Sequence, residues 1–378
     1  MNSTGYQQEY KPPSNAAMEI LSLDLSFFRN HMQFNYINHA SPIIICGSNG
    51  AGKTSILEAI SLLTPGKGLR NANLDEMRNH NSTNGWTIEA EIKGENNIDK
   101  IKVEYYAGKT SRGIFINERK IKTHADLTSI FSVLWLTPQM DQLFIGPSAN
   151  RRKFLDRIVY NINDIHHADN INIYDKATHE RLQILKQISY DPLWIQALEH
   201  KMVEVGIKII ESRQATLNIL QNAINASDTS FPKAKLFIEG ELEKYALEVD
   251  KEELFAYYMT QLVKSRDLDA KLGRTNVGVH RSDLVVYHAS KNIKASLCST
   301  GEQKAMLLAI ILGEARSRVI TRSSVQVMLL DEVIAHLDEN RRDELFDEII
   351  KLGAQAWLTG TETKTFGKLI DMAQIITL

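Results

Sequence analysis

Eight consecutive residues carry the most specific chemistry in the chain: Gly47-Ser48-Asn49-Gly50-Ala51-Gly52-Lys53-Thr54. They satisfy the pattern G-x-x-x-x-G-K-[ST]. Its glycines let backbone N–H groups approach phosphate oxygens, its lysine reaches the β- and γ-phosphates, and its hydroxyl ligates Mg²⁺. The apolar run Ile43-Ile44-Ile45-Cys46 precedes it as a buried parallel strand would. SILEAISLL follows it as a helix closed by Pro65 and Gly66, with a positive N-terminal end facing the anion. Far along the chain, Val327-Met328-Leu329-Leu330-Asp331-Glu332 reads as an apolar strand ending in two carboxylates. Asp331 suits the Mg²⁺ shell and Glu332 suits polarisation of an attacking water. The implied ligands are ATP and Mg²⁺.

A third segment separates the P-loop families. Ser299-Thr300-Gly301-Glu302-Gln303 opens the helix KAMLLAIILGEA, about thirty residues before Asp331. It resembles the signature of ABC-type ATPases, which contacts the γ-phosphate held by the opposite subunit. Ser299, Gly301 and Gln303 are its ligand-facing residues, and a hydroxyl with a helix N-terminus is suited to an anion. Ala335-His336-Leu337-Asp338 resembles the loop that crosses such a dimer, with Asp338 at its end. Gln139, in LTPQMD, resembles the glutamine that joins metal and water to the helical lobe. Transporter-type members carry a switch histidine after the next strand; here Ala356-Trp357-Leu358 leads into Thr359-Gly360-Thr361, which argues against fast hydrolysis.

These segments need an α/β scaffold to bring them together. Residues 86–117 hold WTIEAEI, KIKVEYY and RGIFIN, an antiparallel meander by alternation. From Ser148 to Asn225 glycine is scarce, and Leu198, Met202, Val205, Ile209, Leu220 and Ile224 keep a helical stripe that Arg213 interrupts, with Pro192 separating two helices. After Gly273 strands and helices alternate again. The expected architecture is a tail at 1–17, an ATPase head split between 18–160 and 274–378, and an inserted, mainly helical lobe at 161–273.

The bulk numbers suit this reading. With 44 basic and 46 acidic side chains the net charge is −2, so a DNA surface must be a local patch. Two distant cysteines, Cys46 and Cys298, provide no disulfide framework. The polar N-terminus lacks the apolar run of a signal peptide, and no stretch reaches membrane-spanning length, so a cytoplasmic protein is expected.

Ser299 follows Thr54 by 245 positions, too many for a compact transporter ATPase and too few for a long coiled-coil arm. The chain after residue 17 resembles the bacterial RecF family of ABC/SMC-like ATPases. FFRN, GSNGAGKTSILEAI, GKGLR, LTPQMDQLFIGPSANRRKFLD, GVHRSDL, CSTGEQKAMLL, LLDEVIAHLD and the closing TGT carry the likeness. The resemblance implies an SMC-like head with a lobe, an ATP-dependent homodimer, and weak hydrolysis that works as a switch. It also implies binding to DNA at single-strand gaps and duplex junctions, with RecR and RecO as partners in loading RecA. A membrane-transporter ATPase is the alternative, disfavoured by the lobe and the missing histidine. Arg29 and Asn30 are placed near the nucleotide by the same resemblance. Lys67 and Arg70 are the better DNA candidates, and Arg151 and Arg152 the weaker, since a solvated helix face is the simpler reading of that run. His280, Arg281 and Asp283 match the family without an assigned role, a buried salt bridge being as good a reading as any. His166 and His167 are expected on the surface.

Overall fold

The computed structural model describes residues 17–94, 97–121, 123–187, 189, 191–322 and 324–378. Most of the expected tail, residues 1–16, lies outside them. Ala17 forms a parallel bridge with Val325.

The chain opens with a hairpin, β1 (Glu19–Phe28) and β2 (His31–Ile37), then β3 (Ile43–Cys46), the P-loop and α1 (Lys53–Ser61). A meander follows, β4 (Gly85–Lys93), β5 (Ile98–Tyr106), β6 (Gly113–Ile116) and β7 (Arg119–Lys120), then α2 (His124–Ile130) and β8 (Val133–Leu136). Next come α3 (Ser148–Ile162), α4 (His167–Leu185), α5 (Pro192–Asn225), β9 (Ala234–Glu239), α6 (Glu241–Tyr245), α7 (Lys251–Leu272), β10 (Asp283–His288) and β11 (Ile293–Lys294). The chain returns through α8 (Thr300–Arg322), β12 (Val327–Leu330), α9 (Glu339–Leu352), β13 (Ala356–Gly360) and β14 (Gln374–Thr377).

A five-stranded parallel sheet, β14-β3-β13-β12-β8, forms the centre. Its short strands are apolar on both faces, as a covered parallel sheet requires. Period-two alternation divides them. Ile43, Ile45, Val133, Trp135, Val327, Leu329 and Trp357 face α1 and the antiparallel sheet β2-β1-β4-β5-β6-β7. Ile44, Leu134, Leu136, Met328, Leu330 and Leu358 face a second core built with α3, α8, α9 and the C-terminal half of α5. The P-loop strand and the carboxylate strand flank β13, so their C-terminal ends emerge together at one edge.

The lobe is attached through that second core. Its long helix α5 starts where Asp191 accepts from Leu193 N and Pro192 fills the first turn, a position with no N–H to satisfy. At 34 residues it runs about 50 Å. Met202, Val205, Ile209, Leu220 and Ile224 of the expected stripe are buried. Arg213 does not break it, because its guanidinium is buried against Asp156 of α3 (2.7 and 2.9 Å). One difference from expectation is topological: β10 and β11 pair with β9 in a three-stranded sheet. The expected boundary after residue 273 falls between β9 and its partners β10 and β11, whose Leu284 and Val286 share the second core with α3, α8 and β12. Period-two patterns identify strands but not their partners, so this pairing is not legible locally.

Candidate functional site

The P-loop leaves β3 and wraps over the start of α1. Gly52 caps that helix at φ 103°, a left-handed conformation, and a Cβ there would lie 2.6 Å from His31 Nε2. The backbone conformation calls for glycine. Lys53 is nearly buried, and its ammonium donates to Gly47 O (2.8 Å) and Ser48 O (3.0 Å). Asn30, at the tip of the β1–β2 hairpin, donates to Gly50 O (2.9 Å).

The carboxylate strand delivers Asp331 to the same place. Its Oδ1 accepts from Thr54 Oγ1 (2.9 Å) and from Thr359 Oγ1 (2.8 Å), and its backbone N–H donates to Leu136 O (2.9 Å). Burial pushes the Asp331 carboxyl up; the two hydroxyls pull it back, Glu332 pushes it further and Arg70 opposes. Glu332 sits at φ 51°, uncommon for a residue with a side chain, and its N–H donates to Thr359 Oγ1 (2.9 Å). One buried hydroxyl, at the end of the neighbouring strand, therefore holds both carboxylate residues. Sequence reading did not assign Thr359 this role; its signal is a hydrogen-bonding residue just where the switch histidine is lacking.

A cleft of about 280 Å³ joins these groups, lined by Asn30, Asn49, Gly50, Lys53, Arg70 and Glu332 among others. Arg70, expected on a DNA surface, instead faces this cleft and pairs at 3.4 Å with Glu58 of α1. Arg29 forms a bidentate pair with the fully buried Glu58 (2.8 and 2.7 Å) and donates to Glu76 O, which anchors the hairpin to α1. Glu58 escaped the sequence reading, although a lone carboxylate amid apolar helix positions must find a cation when buried. Lys67 is exposed.

Gln139 follows β8 in the turn Pro138–Gln142 and is exposed, outside the residues that line the cleft. Ser299 is exposed at the start of α8, apart from this chain's own P-loop. Its Oγ donates to Glu302 Oε2 (2.9 Å) and accepts from Glu302 N (3.4 Å), so the N-cap reading of this serine is realised. Lys291 and Ser299 hold the Glu302 carboxyl down at about 2. A Cβ on Gly301 would meet nothing within 4 Å, and Gln303 is turned inward onto Cys298 O (2.9 Å). Asp338 is the N-cap of α9, accepting from Arg341 N (2.9 Å).

The GPSANRRKFLD and GVHRSDL segments bind each other. Arg151 grips Asp283 with two bonds (2.7 and 2.8 Å), and its remaining nitrogen donates to Leu143 O, Phe144 O and Gly146 O. Arg152 donates to Ser282 O (2.6 Å) and Ser148 Oγ (3.0 Å). Both arginines are engaged inside the molecule, against their reading as DNA contacts or as a solvated face. His167 is fully buried between Asp156 (2.8 Å) and Ser212 (2.9 Å), not on the surface. His280 bonds Tyr174 (3.0 Å) and the Thr275 carbonyl (3.0 Å); burial holds its ring below the usual histidine range.

Residues 19–377 match the family described as RecF/RecN/SMC N terminal domain. The DNA replication and repair protein RecF of Rickettsia canadensis is 40% identical over 357 residues, 94% of this chain and 98% of that protein. The protein of the same name from Rickettsia typhi is 39% identical over the same shares. Among solved structures, the recombination mediator protein RecF with ATP, of the RecFOR pathway, superposes with a TM-score of 0.81 at 22% identity, over 94% of this chain and 95% of that one. The Smc head domain of Pyrococcus furiosus superposes with a TM-score of 0.51 at 15% identity, over 92% and 91%. Among the described residues no helix is long and apolar enough to cross a membrane.

Proposed function

This chain belongs to the RecF family of SMC-like ATPases, and from that premise we propose that it is an ATP-dependent DNA-binding protein of replication and recombinational repair, acting in the cytoplasm. The observation that carries the reading is the meeting of Lys53, Thr54, Asp331 and Glu332 around one cleft while Ser299 and Gly301 stand exposed elsewhere. Half of a nucleotide site is built within the chain, and the other half is offered outward, as a second copy would need.

The residues present fit ATP and Mg²⁺. Lys53 and Arg70 supply cations at the cleft, and α1 starts without a side-chain cap, leaving backbone donors for phosphate. Thr54 and Asp331 would hold Mg²⁺, which when bound neutralises phosphate charge. Glu332 orients and polarises the attacking water, Thr359 fixes its backbone, and Gln139 joins this side to the lobe. Ser299 and Gly301 complete the γ-phosphate contact of the partner copy, and Asp338 lies near that crossing. With Thr359 in place of a titrating histidine, the reading is slow hydrolysis that resets a clamp. The head comprises 18–160 and 274–378, and the inserted, mainly helical lobe is 161–273. Lys67 is the remaining DNA-side candidate, and RecR and RecO are the expected partners.

The test is DNA binding by fluorescence anisotropy, on a gapped duplex with and without ATP, for the parent and Lys53→Ala. ATP should tighten binding in the parent alone. Equal affinity under all four conditions would refute the proposal.

A further inference from the structure

The lobe ends in a platform built from three helix termini. Arg181 of α4 donates to Glu199 of α5 (2.9 Å) and to Asp269 of α7 (2.6 Å), and all three side chains are fully buried. Just beyond that knot Ile184, Leu185 and Ile195 form a small core of their own. Lys186 Nζ, at the end of α4, comes within 3.9 Å of a Cβ placed on Gly273, the residue that closes α7. The surface on this firm base is apolar. Leu193 is 74% exposed and Trp194 57%, and Leu268 and Leu272, four residues apart on α7, are each more than half exposed. Around them stand Lys186, Lys271 and Arg274, all exposed, and none has a carboxylate partner among the described residues. Of the carboxylates at this end, Asp191 is engaged in capping α5, while Asp267 is exposed.

The opposite end of α7, about 33 Å away along its 22 residues, has the reverse character. Leu247, in the turn between α6 and α7, is 72% exposed. Glu248 and Glu252 flank it, exposed and without a cation partner among the described residues. Glu241 and Glu253 add charge while accepting from Tyr257 (2.6 Å) and Tyr245 (2.9 Å). Lys251 is drawn aside by Glu211 (2.8 Å), and Lys244 on α6 is exposed. A rigid helix holds the two patches apart, so the two ends of one lobe never meet. We propose that the acidic, leucine-tipped end of one copy's lobe docks on the basic, apolar platform of another copy. The charges oppose across such a contact, Leu247 supplies an apolar group for the platform, and like ends repel. Because the two surfaces differ, the contact is heterologous and leaves each copy with an unused patch for the next. It uses no part of the nucleotide cleft and none of the surroundings of Ser299, so it links chains whether or not their heads are paired.

The test is sedimentation velocity of the full chain without nucleotide, comparing the parent with Lys271→Glu/Arg274→Glu and with Glu248→Lys/Glu252→Lys. Surfaces this small belong to the transient class, so the parent should associate with a dissociation constant of about 10–100 μM. Raising salt from about 0.05 to 0.5 M should weaken that association about tenfold. Each reversed protein should stay monomeric at the same concentrations. Mixed together they should associate again, because the reversed platform meets the reversed acidic end and the mixture also holds one native pair. Leu247→Ser alone should weaken association about tenfold, and it keeps the test open should a reversed protein unfold. Trp194 reports which face is covered, since Trp86, Trp135 and Trp357 are buried. Emission should shift to the blue as the parent associates, and Trp194→Phe should lose that shift. A parent that stays monomeric to about 500 μM overturns the proposal. So does association that neither reversal reduces, or a mixture of the two that stays monomeric. If the parent is monomeric and the Lys271→Glu/Arg274→Glu protein loses affinity for a single-stranded oligonucleotide, the platform belongs to DNA instead.

Discussion

Replacing Thr359 with valine removes one hydroxyl and almost no volume, yet that hydroxyl serves both carboxylate residues. It accepts from Glu332 N at 2.9 Å and donates to Asp331 Oδ1 at 2.8 Å, at a position 1% exposed. Losing the bond to a carboxylate costs about 1.5–3 kcal/mol, and orphaning the buried N–H adds about 1–3 kcal/mol. Allowing for relaxation, we expect a stability loss of about 2–4 kcal/mol, read by urea denaturation. The left-handed backbone at Glu332 loses its anchor, so the carboxylate should drift from the water it orients, and single-turnover hydrolysis should fall about 10- to 100-fold. ATP affinity should hold within roughly threefold, since Lys53 and the loop are untouched. Burial already raises the Asp331 carboxyl, and losing a hydroxyl donor raises it further. Only the ionised form holds Mg²⁺. Mg²⁺ affinity therefore falls as pH drops through this raised value, and the fall begins at higher pH in Thr359→Val. Thr359→Ser should restore both properties. A valine variant with parental turnover and an unshifted Mg²⁺–pH curve would refute the reasoning.

Glu332→Gln should keep ATP binding but slow hydrolysis about 100-fold or more, so that the ATP dimer accumulates in sizing chromatography. Parental turnover would remove the assigned role. Lys53→Ala and Ser299→Arg, each inactive alone, should regain part of the ATPase when mixed, because a mixed dimer holds one site free of both lesions; heterodimers without recovered hydrolysis would contradict this. Arg213→Met should destabilise by about 3–5 kcal/mol, measured by urea denaturation, since it strands a buried carboxylate. Burial alone would raise Asp156, but Arg213 and His167 hold it well below the usual carboxylate range. Its stabilising contribution is thus present above the unfolded value near pH 4 and lost as pH falls toward the depressed one, which acid titration of parent and variant will show.

The residues of the P-loop pattern and the carboxylate strand were legible because their chemistry dictates type and spacing together. Glycine at 52, lysine at 53 and a hydroxyl at 54 have few substitutes, and an apolar strand before Asp331 identifies itself. What stayed hidden depends on partners distant in the chain. Arg213 looked like a flaw in a helical stripe until Asp156 lay beside it, 57 residues away. Arg151 and Asp283 are 132 residues apart, and nothing local to either names the other. Arg70 and Glu58 are another such pair, and only the fold brings that arginine to the cleft. The pairing of β10 and β11 with β9 was hidden in the same way, since alternation marks a strand without naming its neighbour.

Lys53 already has two oxygens for company before any nucleotide arrives. Its ammonium is withdrawn from solvent and satisfied by carbonyls of the loop it serves, which act as placeholders for phosphate. Binding is then an exchange of one set of oxygens for another rather than the filling of a vacancy, and its net gain is only the difference between the two sets.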